Sequence, residues 1–463
     1  MSVSPSMYST PSSFPGPALR YAFLLVLLTI LGHGTTHAQQ ARTITFEEAV
    51  QIALERNAAI RRSRNNVGLQ ATVVSSERAD FFPNLNLSSS TSRTYGLTFD
   101  QTTGQLVSES TDAFNASASS SINLFNGFGD VASYNQARHA LEAEEYTLNR
   151  TQQTVLFDLI TSYLQVILDR EQIQIRQEDL EAQRQQLARI EEFVRVGSRP
   201  VSDLYQQQAT VASSELALLE AERAAQLSES RLIQVLQLDP FQEYEFVAPS
   251  AEEIPLLPRE YDAESLLRTA FANRPDLQAQ EASIEAALEG IRFARSGMYP
   301  SLSLFGSIRT SYSSRNELTS FADQLSDNRA QSFGISLSIP IFNRFQTRTN
   351  VERARVQYEN ARLAEETLEL QIAAEVRQAY LDYQTAVKRL DVTEKQLQAA
   401  EQALAVEQER YNVGASTLVE LTQARATYVQ AASNRIQAIY RFYFQDRLLE
   451  YYQGTLNPTR PLF

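Results

Sequence analysis

The longest regular pattern in the chain lies between Gly127 and Gly197, where apolar residues recur at every seventh position. One step of eleven residues, from Val155 to Val166, inserts four residues into this pattern. A heptad pattern sustained over about seventy residues without proline predicts a helix roughly 100 Å long that packs against other helices along its whole length. The apolar positions are Leu141, Leu148, Val155, Val166, Ile173, Leu180, Leu187 and Val194.

The same pattern occurs a second time, displaced by 217 residues, and only Glu365 interrupts its apolar series. Because 217 is a multiple of seven, the heptad register is preserved. The chain is therefore predicted to be a tandem repeat whose halves fold alike. Corresponding landmarks are Pro83 and Pro300, Phe125-Asn126 and Phe342-Asn343, and Val196-Gly197 and Val413-Gly414.

A shorter helix and two strands are predicted before each long helix. Residues Phe46 to Phe82 have their own seven-residue spacing, and Pro83 ends that helix because proline disfavours helical geometry in the residue before it. The period then changes to two, which predicts strands on both sides of a polar loop at about Thr98 to Thr111. The second half repeats this plan with a helix from Ala263 to Tyr299.

The strands of the second half are predicted at Ser301 to Ser313 and at Ala330 to Phe342. Pro340 lies near the end of the latter segment. Since proline cannot donate a hydrogen bond to a strand ladder, we expect an edge or a bend there.

Each long helix leads through a glycine turn into a returning helix, and residues 239–262 carry four prolines typical of a linker. Two shorter helices of about 36 residues match one long helix of about 70, so they are expected to lie end to end beside it. The linker then lies at the equator, with the strands at one end and the turns at the other. The predicted division is a signal peptide at 1–38, a first repeat at 39–238, an equatorial linker at 239–262, and a second repeat with a C-terminal tail at 263–463.

The signal peptide is predicted from Arg20, which precedes the apolar run Tyr21 to Leu31. This run is too short to span a bilayer, and Thr36-His37-Ala38 offers the small residues that a signal peptidase recognises. We therefore expect secretion, with cleavage after Ala38.

Composition excludes several function classes. The formal net charge of −14 argues against a nucleic-acid partner, and the absence of cysteine excludes disulfides and thiol chemistry. The sequence contains no phosphate loop, no nucleophile with an accompanying base and no cluster of metal ligands. We therefore predict a protein that is not an enzyme and that binds no cofactor or metal.

Four alternating strands in a secreted protein suit a barrel in the outer membrane, where one face meets lipid and the other meets the lumen. Four strands cannot close a barrel, and open strand edges are not tolerated in lipid. Several chains must therefore share one barrel, and three would supply twelve strands. The predicted fold is mainly α with a membrane β-barrel portion: a tandem repeat, a long antiparallel coiled-coil tunnel, and four strands per chain in a trimeric twelve-stranded barrel.

The 217-residue repeat, the paired strand segments and the twin turns make the chain resemble the TolC-like outer-membrane efflux proteins over essentially its whole mature length. The turns are Val196-Gly197 with Asp203-Leu204, and Val413-Gly414 with Glu420-Leu421. The resemblance implies a homotrimeric exit duct in the outer membrane that extends into the periplasm. It also implies a periplasmic adaptor and an inner-membrane pump as partners, in drug efflux or type I secretion.

The resemblance further implies a ring of acidic residues at the constricted periplasmic end of the tunnel. The matching positions are Glu420, Gln423 and Asp203, although the family often has a second acid where Gln423 stands. Ser416 occupies a position where an arginine can lock the closed state. Glu420 also fits a helix capping box with Thr417, so capping and a pore role are both open.

The two turns are the predicted adaptor-docking tips, with the simple role of glycine as a helix C-cap as the alternative. The docking residues are Val196, Gly197, Leu204, Val413, Gly414 and Leu421. A secreted coiled-coil scaffold or adhesin without a pore is the alternative function. It would account for the long helices but not for the duplicated strand segments.

Overall fold

The computed structural model describes residues 42–100, 105–247, 256–316 and 318–456. The predicted signal peptide at 1–38 lies outside them. Both halves contain the same succession of short helices, paired strands, a long helix and a returning helix. The elements of the first half are β1 (Arg42–Ile44), α1 (Phe46–Arg56), α2 (Ala58–Ala79), β2 (Asn86–Asp100), β3 (Gln105–Phe125), α3 (Gly129–Arg195) and α4 (Val201–Leu236).

The second half adds one short helix between its two strands. Its elements are β4 (Tyr244–Phe246), α5 (Ala263–Asn273), α6 (Pro275–Ser296), β5 (Ser301–Ser313), α7 (Phe321–Asp327), β6 (Ala330–Ser338), α8 (Gln346–Asn412) and α9 (Leu418–Tyr452). The long helices α3 and α8 have 67 residues each, so the prediction from the heptad pattern is confirmed. Both α2 and α4 pack against α3, while α6 and α9 pack against α8 and also contact α3.

The short helices are not continuous, contrary to the prediction of one helix from Phe46 to Phe82 and one from Ala263 to Tyr299. The first breaks at Asn57, whose backbone is not helical and whose side chain accepts a hydrogen bond of 2.8 Å from the amide of Ala59. The second breaks at Arg274, which is held in an extended conformation before Pro275. Each break begins a new helix with its own N-terminus.

The four long strands form one antiparallel sheet in the order β2-β3-β5-β6. Strands β2 and β3 extend further than predicted, because most of the expected loop from Thr98 to Thr111 is paired strand. Just outside this segment, the ion pair between Arg93 and Asp112 joins the two strands across the ladder. Strand β6 ends at Ser338, short of the predicted Phe342, which is consistent with the expected bend at Pro340.

A two-stranded parallel sheet that was not predicted pairs β1 with β4. Strand β4 lies inside the expected linker. Its paired residues Ile44 and Phe246 are buried, and the hydroxyl of Tyr163 on α3 donates a hydrogen bond of 2.6 Å to the carbonyl of Val247. Residues 244–247 of the linker are therefore fixed against the middle of α3.

The main hydrophobic core lies at this equator, and it also holds a buried charge network. Arg274 is 1% exposed and forms ion pairs with Asp276 at 2.5 Å and with Glu375 at 2.6 Å. Hydrogen bonds from Arg274 lower the pKa of Asp276 against the opposing effect of its burial. Within the residues that the structure describes, no helix combines the length and the apolarity needed to cross a membrane.

Candidate functional site at the helical turns

Both glycines of the turns have left-handed backbones, with φ of +74° at Gly197 and +78° at Gly414. At the first turn, the amide of Gly197 donates to the carbonyl of Val194, and the amide of Ser198 donates to that of Phe193. At the second turn, the amide of Gly414 donates to the carbonyl of Tyr411, and the amide of Ala415 donates to that of Arg410. Each glycine therefore ends its long helix in a Schellman motif, which confirms the C-cap interpretation of the sequence.

The helices that begin after the two turns are capped differently. Helix α4 begins after Pro200, which provides no side-chain cap, whereas α9 begins after Thr417, which forms a complete capping box with Glu420. One carboxylate oxygen of Glu420 accepts hydrogen bonds from the Thr417 amide at 2.8 Å and from the Ser416 hydroxyl at 3.0 Å. These bonds, first among them that from the Thr417 backbone, lower the pKa of Glu420. The exposed carboxylate therefore stays ionised below the usual range for glutamate.

The two turns enclose a small hydrophobic core of their own, separate from the equatorial core. Ile190, Tyr411, Leu418 and Leu421 are buried in it, and Val194, Leu204 and Leu404 pack against it. The predicted docking residue Leu421 is only 3% exposed, so its side chain holds the two turns together and is not free for a partner. Leu204 is partly covered in the same way.

The other predicted docking residues lie at the surface. Val196 and Val413 are exposed, and a Cβ atom added at Gly197 or Gly414 would meet no atom within 4 Å. Only the left-handed backbone therefore requires glycine at these two positions. The turns present apolar side chains to their surroundings without steric obstruction.

Arg199 of the first turn contacts the C-terminal end of α8. Its Nη2 atom donates a hydrogen bond of 2.8 Å to the carbonyl of Tyr411, and its guanidinium lies 4.4 Å from the centre of the Tyr411 ring. This contact was not predicted, because the two residues are 212 positions apart in the chain. It joins the turn of the first half to the turn of the second.

Ser416 lies where the family resemblance implied a locking arginine. Its buried hydroxyl bonds to the carboxylates of Glu407 and Glu420, and Glu407 in turn pairs with Arg410 at 3.0 Å. The arginine contact between the turns comes from Arg199 instead. The sequence offered a partial signal, since Tyr411 stands at an apolar heptad position.

The residues predicted for the constriction differ in their exposure to solvent. Glu420 and Gln423 are exposed on α9, whereas Asp203 is half-buried on α4. Asp203 is close enough to Tyr411 to contribute to the raised pKa of its hydroxyl, which is due first to burial. The described part of the chain holds no cluster of three or more His, Asp or Glu side chains suited to a metal ion.

Comparison with known proteins identifies the family. A family model described as outer membrane efflux protein matches residues 49–236 and 266–445. The pyoverdine export outer membrane protein OpmQ of Pseudomonas aeruginosa is 27% identical over 71% of this chain and 67% of its own length. Protein CyaE of Bordetella pertussis is 24% identical over 86% of this chain and 81% of its own.

The fold is also shared with solved structures. The outer membrane protein VceC of Vibrio cholerae superposes with a TM-score of 0.75 at 17% identity, over 88% of this chain and 96% of its own. These similarities do not favour a scaffold or adhesin without a pore, nor an enzyme. The match covers both halves of the repeat, and the chain belongs to the family of TolC-like outer membrane efflux proteins.

Proposed function

We propose that three copies of this chain form one exit duct, which carries substrates from an inner-membrane pump and a periplasmic adaptor across the outer membrane. The observation that carries the proposal is the sheet order β2-β3-β5-β6, which leaves β2 and β6 without a further partner among the described residues. Since neighbouring strands alternate in direction, β6 of one copy can pair antiparallel with β2 of the next. Three copies would thereby remove every open edge.

The test is to extract the protein in detergent, determine its mass by native mass spectrometry, and record its conductance in a planar bilayer. We expect the mass of a trimer and discrete conductance steps. A stable monomer, or a trimer that lacks conductance even in complex with its adaptor, would contradict the proposal.

We further propose that the surface of the two turns is the docking site for the adaptor. Support comes from the exposed Val196 and Val413, which lie beside the unobstructed Gly197 and Gly414, with Leu204 at the edge. A photo-crosslinking residue at position 196 or 413 should capture the adaptor in cells. The matched control is the same residue at Phe241, which is 94% exposed at the equator. Equal capture at all three positions would count against a docking tip.

The substitutions Gly197→Ala and Gly414→Ala test the same surface by disturbing the backbone of the two turns. A Cβ atom fits sterically, so the change strains the left-handed backbone without a clash. We expect weaker adaptor crosslinking and weaker efflux from a correctly assembled trimer. Unchanged crosslinking and efflux in both variants would overturn the docking proposal.

We also propose that Glu420, Gln423 and Asp203 line the constriction, where Glu420 would make the duct prefer cations. Its lowered pKa means that this preference should persist below the usual titration range of glutamate. Reversal potentials measured across a salt gradient should show that Glu420→Gln weakens cation selectivity. Glu401→Gln, an exposed acid on α8 roughly 20 Å along the helix from the second turn, is the control. Equal selectivity in the two variants would remove Glu420 from the constriction.

Finally, we propose that the Arg199 contact with Tyr411 holds the tip closed. It is a charge-assisted hydrogen bond combined with a cation–π contact, and it connects the two coiled coils at their free ends. An opening that separates the two turns would have to break it.

A further inference from the structure

The two faces of the four-stranded sheet differ in chemistry. Directly paired residues point to the same face, so the strand register assigns each side chain to one face or the other. One face carries exposed apolar side chains, among them Leu87, Ile308, Phe333, Ile335 and Leu337. In a barrel of the outer membrane, a face of this kind meets lipid. The opposite face then lines the lumen.

Small hydroxyl and amide side chains cover most of this lumen face. Over the stretch that β5 spans, Ser301–Ser313, the face holds serine and asparagine with a few alanine and glycine residues, and only Phe305 and Arg309 differ. Hydroxyl groups bond to each other across the strands, as Ser88 and Ser117 do at 2.8 Å. A wall of neutral hydroxyl groups discriminates weakly between solutes. Phe305 and Arg309 are therefore the side chains that can distinguish one solute from another.

Arg309 carries the only charge on this stretch of the lumen face. Its neighbours across the two ladders are Ser117 on β3 and Ala330 on β6, and neither residue is charged. The side chain is exposed, and within the described ranges no hydrogen bond or ion pair engages its guanidinium group. A guanidinium group that has no carboxylate partner can bind an anion with paired, charge-assisted hydrogen bonds.

Phe305 presents an aromatic surface on the same strand, four residues closer to the helices. Its ring extends over Gly334 of β6, where an added Cβ atom would come within 2.9 Å of the Cζ atom of the ring. The missing side chain at Gly334 thus leaves room for the ring beside the sheet. Phe305 is still 41% exposed, so its ring can stack with a planar solute in the lumen.

The first half of the repeat has none of these three features. The positions 217 residues earlier are Ser88 for Phe305, Ser92 for Arg309 and Ser117 for Gly334. Ser88 pairs with Ser117 just as Phe305 pairs with Gly334, so the positions are equivalent in the structure as well. The barrel does not require the ring or the cation, because the first half forms the same strands with serine.

We infer, on the basis of the proposed duct, that Phe305 and Arg309 form a lumen site for aromatic anions, and that each of the three copies supplies one such site near the extracellular end of the barrel. Four strand residues place the two Cα atoms roughly 13 Å apart, and the arginine side chain can lean towards the ring. A planar solute stacks on the Phe305 ring while its carboxylate, sulfonate or phosphate group bonds to Arg309. The site lies at the opposite end of the duct from the acidic constriction proposed at Glu420.

Block of the single-channel current tests the site. The probe is 2-naphthalenesulfonate, added on the extracellular side of the protein in a planar bilayer, and ethanesulfonate supplies the same charge without the ring. Arg309→Ser and Phe305→Ser introduce the residue of the first half, and each should raise the half-blocking concentration of 2-naphthalenesulfonate by about fivefold or more. Ethanesulfonate should block more weakly and respond only to Arg309→Ser. The control is Arg329→Ser, which removes the same charge from the loop before β6, where Arg329 bonds to Ser326. It should change neither block.

The chain contains no cysteine, which permits a second test that needs no current. Ser307→Cys lies two residues from Arg309 on the lumen face, and it is labelled in intact cells with methanethiosulfonates that carry either a sulfonate or an ammonium group. Adding Arg309→Ser should lower the ratio of the sulfonate rate to the ammonium rate by about threefold or more, whereas adding Arg329→Ser should not. Ile308→Cys, on the lipid face, should react with neither reagent.

Unchanged block in both serine variants would overturn the inference. Equal effects of Arg309→Ser and Arg329→Ser, in either test, would also overturn it, because charge at the rim in general would then attract the anion. Equal block by the two sulfonates, with no effect of Phe305→Ser, would refute an aromatic site. A failure of the duct itself has a different signature: no trimer in native mass spectrometry, or Ile308→Cys reacting as fast as Ser307→Cys.

Discussion

The two coiled coils that end in the turns have the same backbone and different interiors. Between α3 and α4, Gln207 is fully buried and donates to the carbonyl and to the side-chain oxygen of Gln183 at 3.1 and 2.9 Å. Between α8 and α9, the residues displaced by 217 positions are Ala400 and Ala424. The buried Ser214 of the first coil likewise corresponds to the buried Ala431 of the second.

This difference indicates different mechanical properties. Buried amide side chains find their partners in one register only, so a shift of α4 along α3 would leave them unpaired in a water-free interior. Alanine side chains let two helices approach closely and form no directional bonds. We expect the first coil to stay rigid and the second to move when the tip opens.

The largest expected effect follows from cutting the link between the two coils. Arg199→Ala removes the hydrogen bond and the ring contact at Tyr411. The loss of a charged hydrogen bond of about 1.5–3 kcal/mol should shift the closed-to-open ratio by a factor of roughly 10 to 150 per chain. Single-channel recording should show a corresponding rise in open probability. The control is Arg195→Ala, since Arg195 pairs only with Glu192 of its own helix among the contacts described. A rise in both variants would mean that tip charge, and not this contact, governs opening.

The next effect tests the close packing of the second coil. Ala431→Leu adds volume at a fully buried position, and we expect a loss of about 1–3 kcal/mol in the free energy of unfolding. Thermal unfolding in detergent should show a lowered midpoint. Ala426→Leu, at an exposed position of the same helix, should leave the midpoint unchanged. Full tolerance of leucine at position 431 would contradict the comparison.

The first coil should respond in the opposite direction. The Oε1 atom of Gln207 is buried without a hydrogen-bond partner. Because no bond compensates for the water it loses on folding, this atom destabilises the folded state. Gln183→Leu combined with Gln207→Leu should therefore raise the free energy of unfolding by about 1 kcal/mol. Gln206→Leu, an exposed neighbour, is the control. Disulfide crosslinks between α3 and α4 should then form in more than one register, and a single retained register would refute the proposed role of the glutamines.

The smallest expected effect concerns Glu365, which replaces the apolar heptad residue Leu148 of the first half. Desolvation, followed by the nearby Glu369 and Glu281, raises the pKa of Glu365, and Arg362 opposes them. The ionised form is thus disfavoured in the folded state, so the contribution of Glu365 to stability improves as the pH falls through its raised pKa. Glu365→Gln should raise the unfolding temperature at pH 7. It should also reduce the rise in unfolding temperature that the unchanged protein shows when the pH is lowered from 7 to 5. Glu401→Gln should change neither, and identical behaviour of both variants would show that Glu365 is an ordinary surface acid.

The bounds of the long helices could be read from the sequence to within two residues, because each heptad position reports local burial. The break at Asn57 could not, since Ala53 in α1 and Ile60 in α2 are seven residues apart and hide the interruption. The break before Pro275 could have been predicted, because proline disfavours helical geometry in the residue before it. The seven-residue spacing alone suggested one continuous helix. At the tip, the C-cap role of the glycines followed from the sequence, while the burial of Leu421 and the contact of Arg199 did not.

The sequence by itself determined the duplication, the long helices, the change to strands and the family, because periodicity and turn chemistry are properties of neighbouring residues. Only the tertiary structure decided which distant groups meet. The three residue pairs of the β1–β4 sheet are about 200 positions apart, and the left-handed backbones of Phe128 and Phe345 depend on strands and helices that meet there. Such contacts are fixed by the path of the whole chain, and no local pattern encodes them.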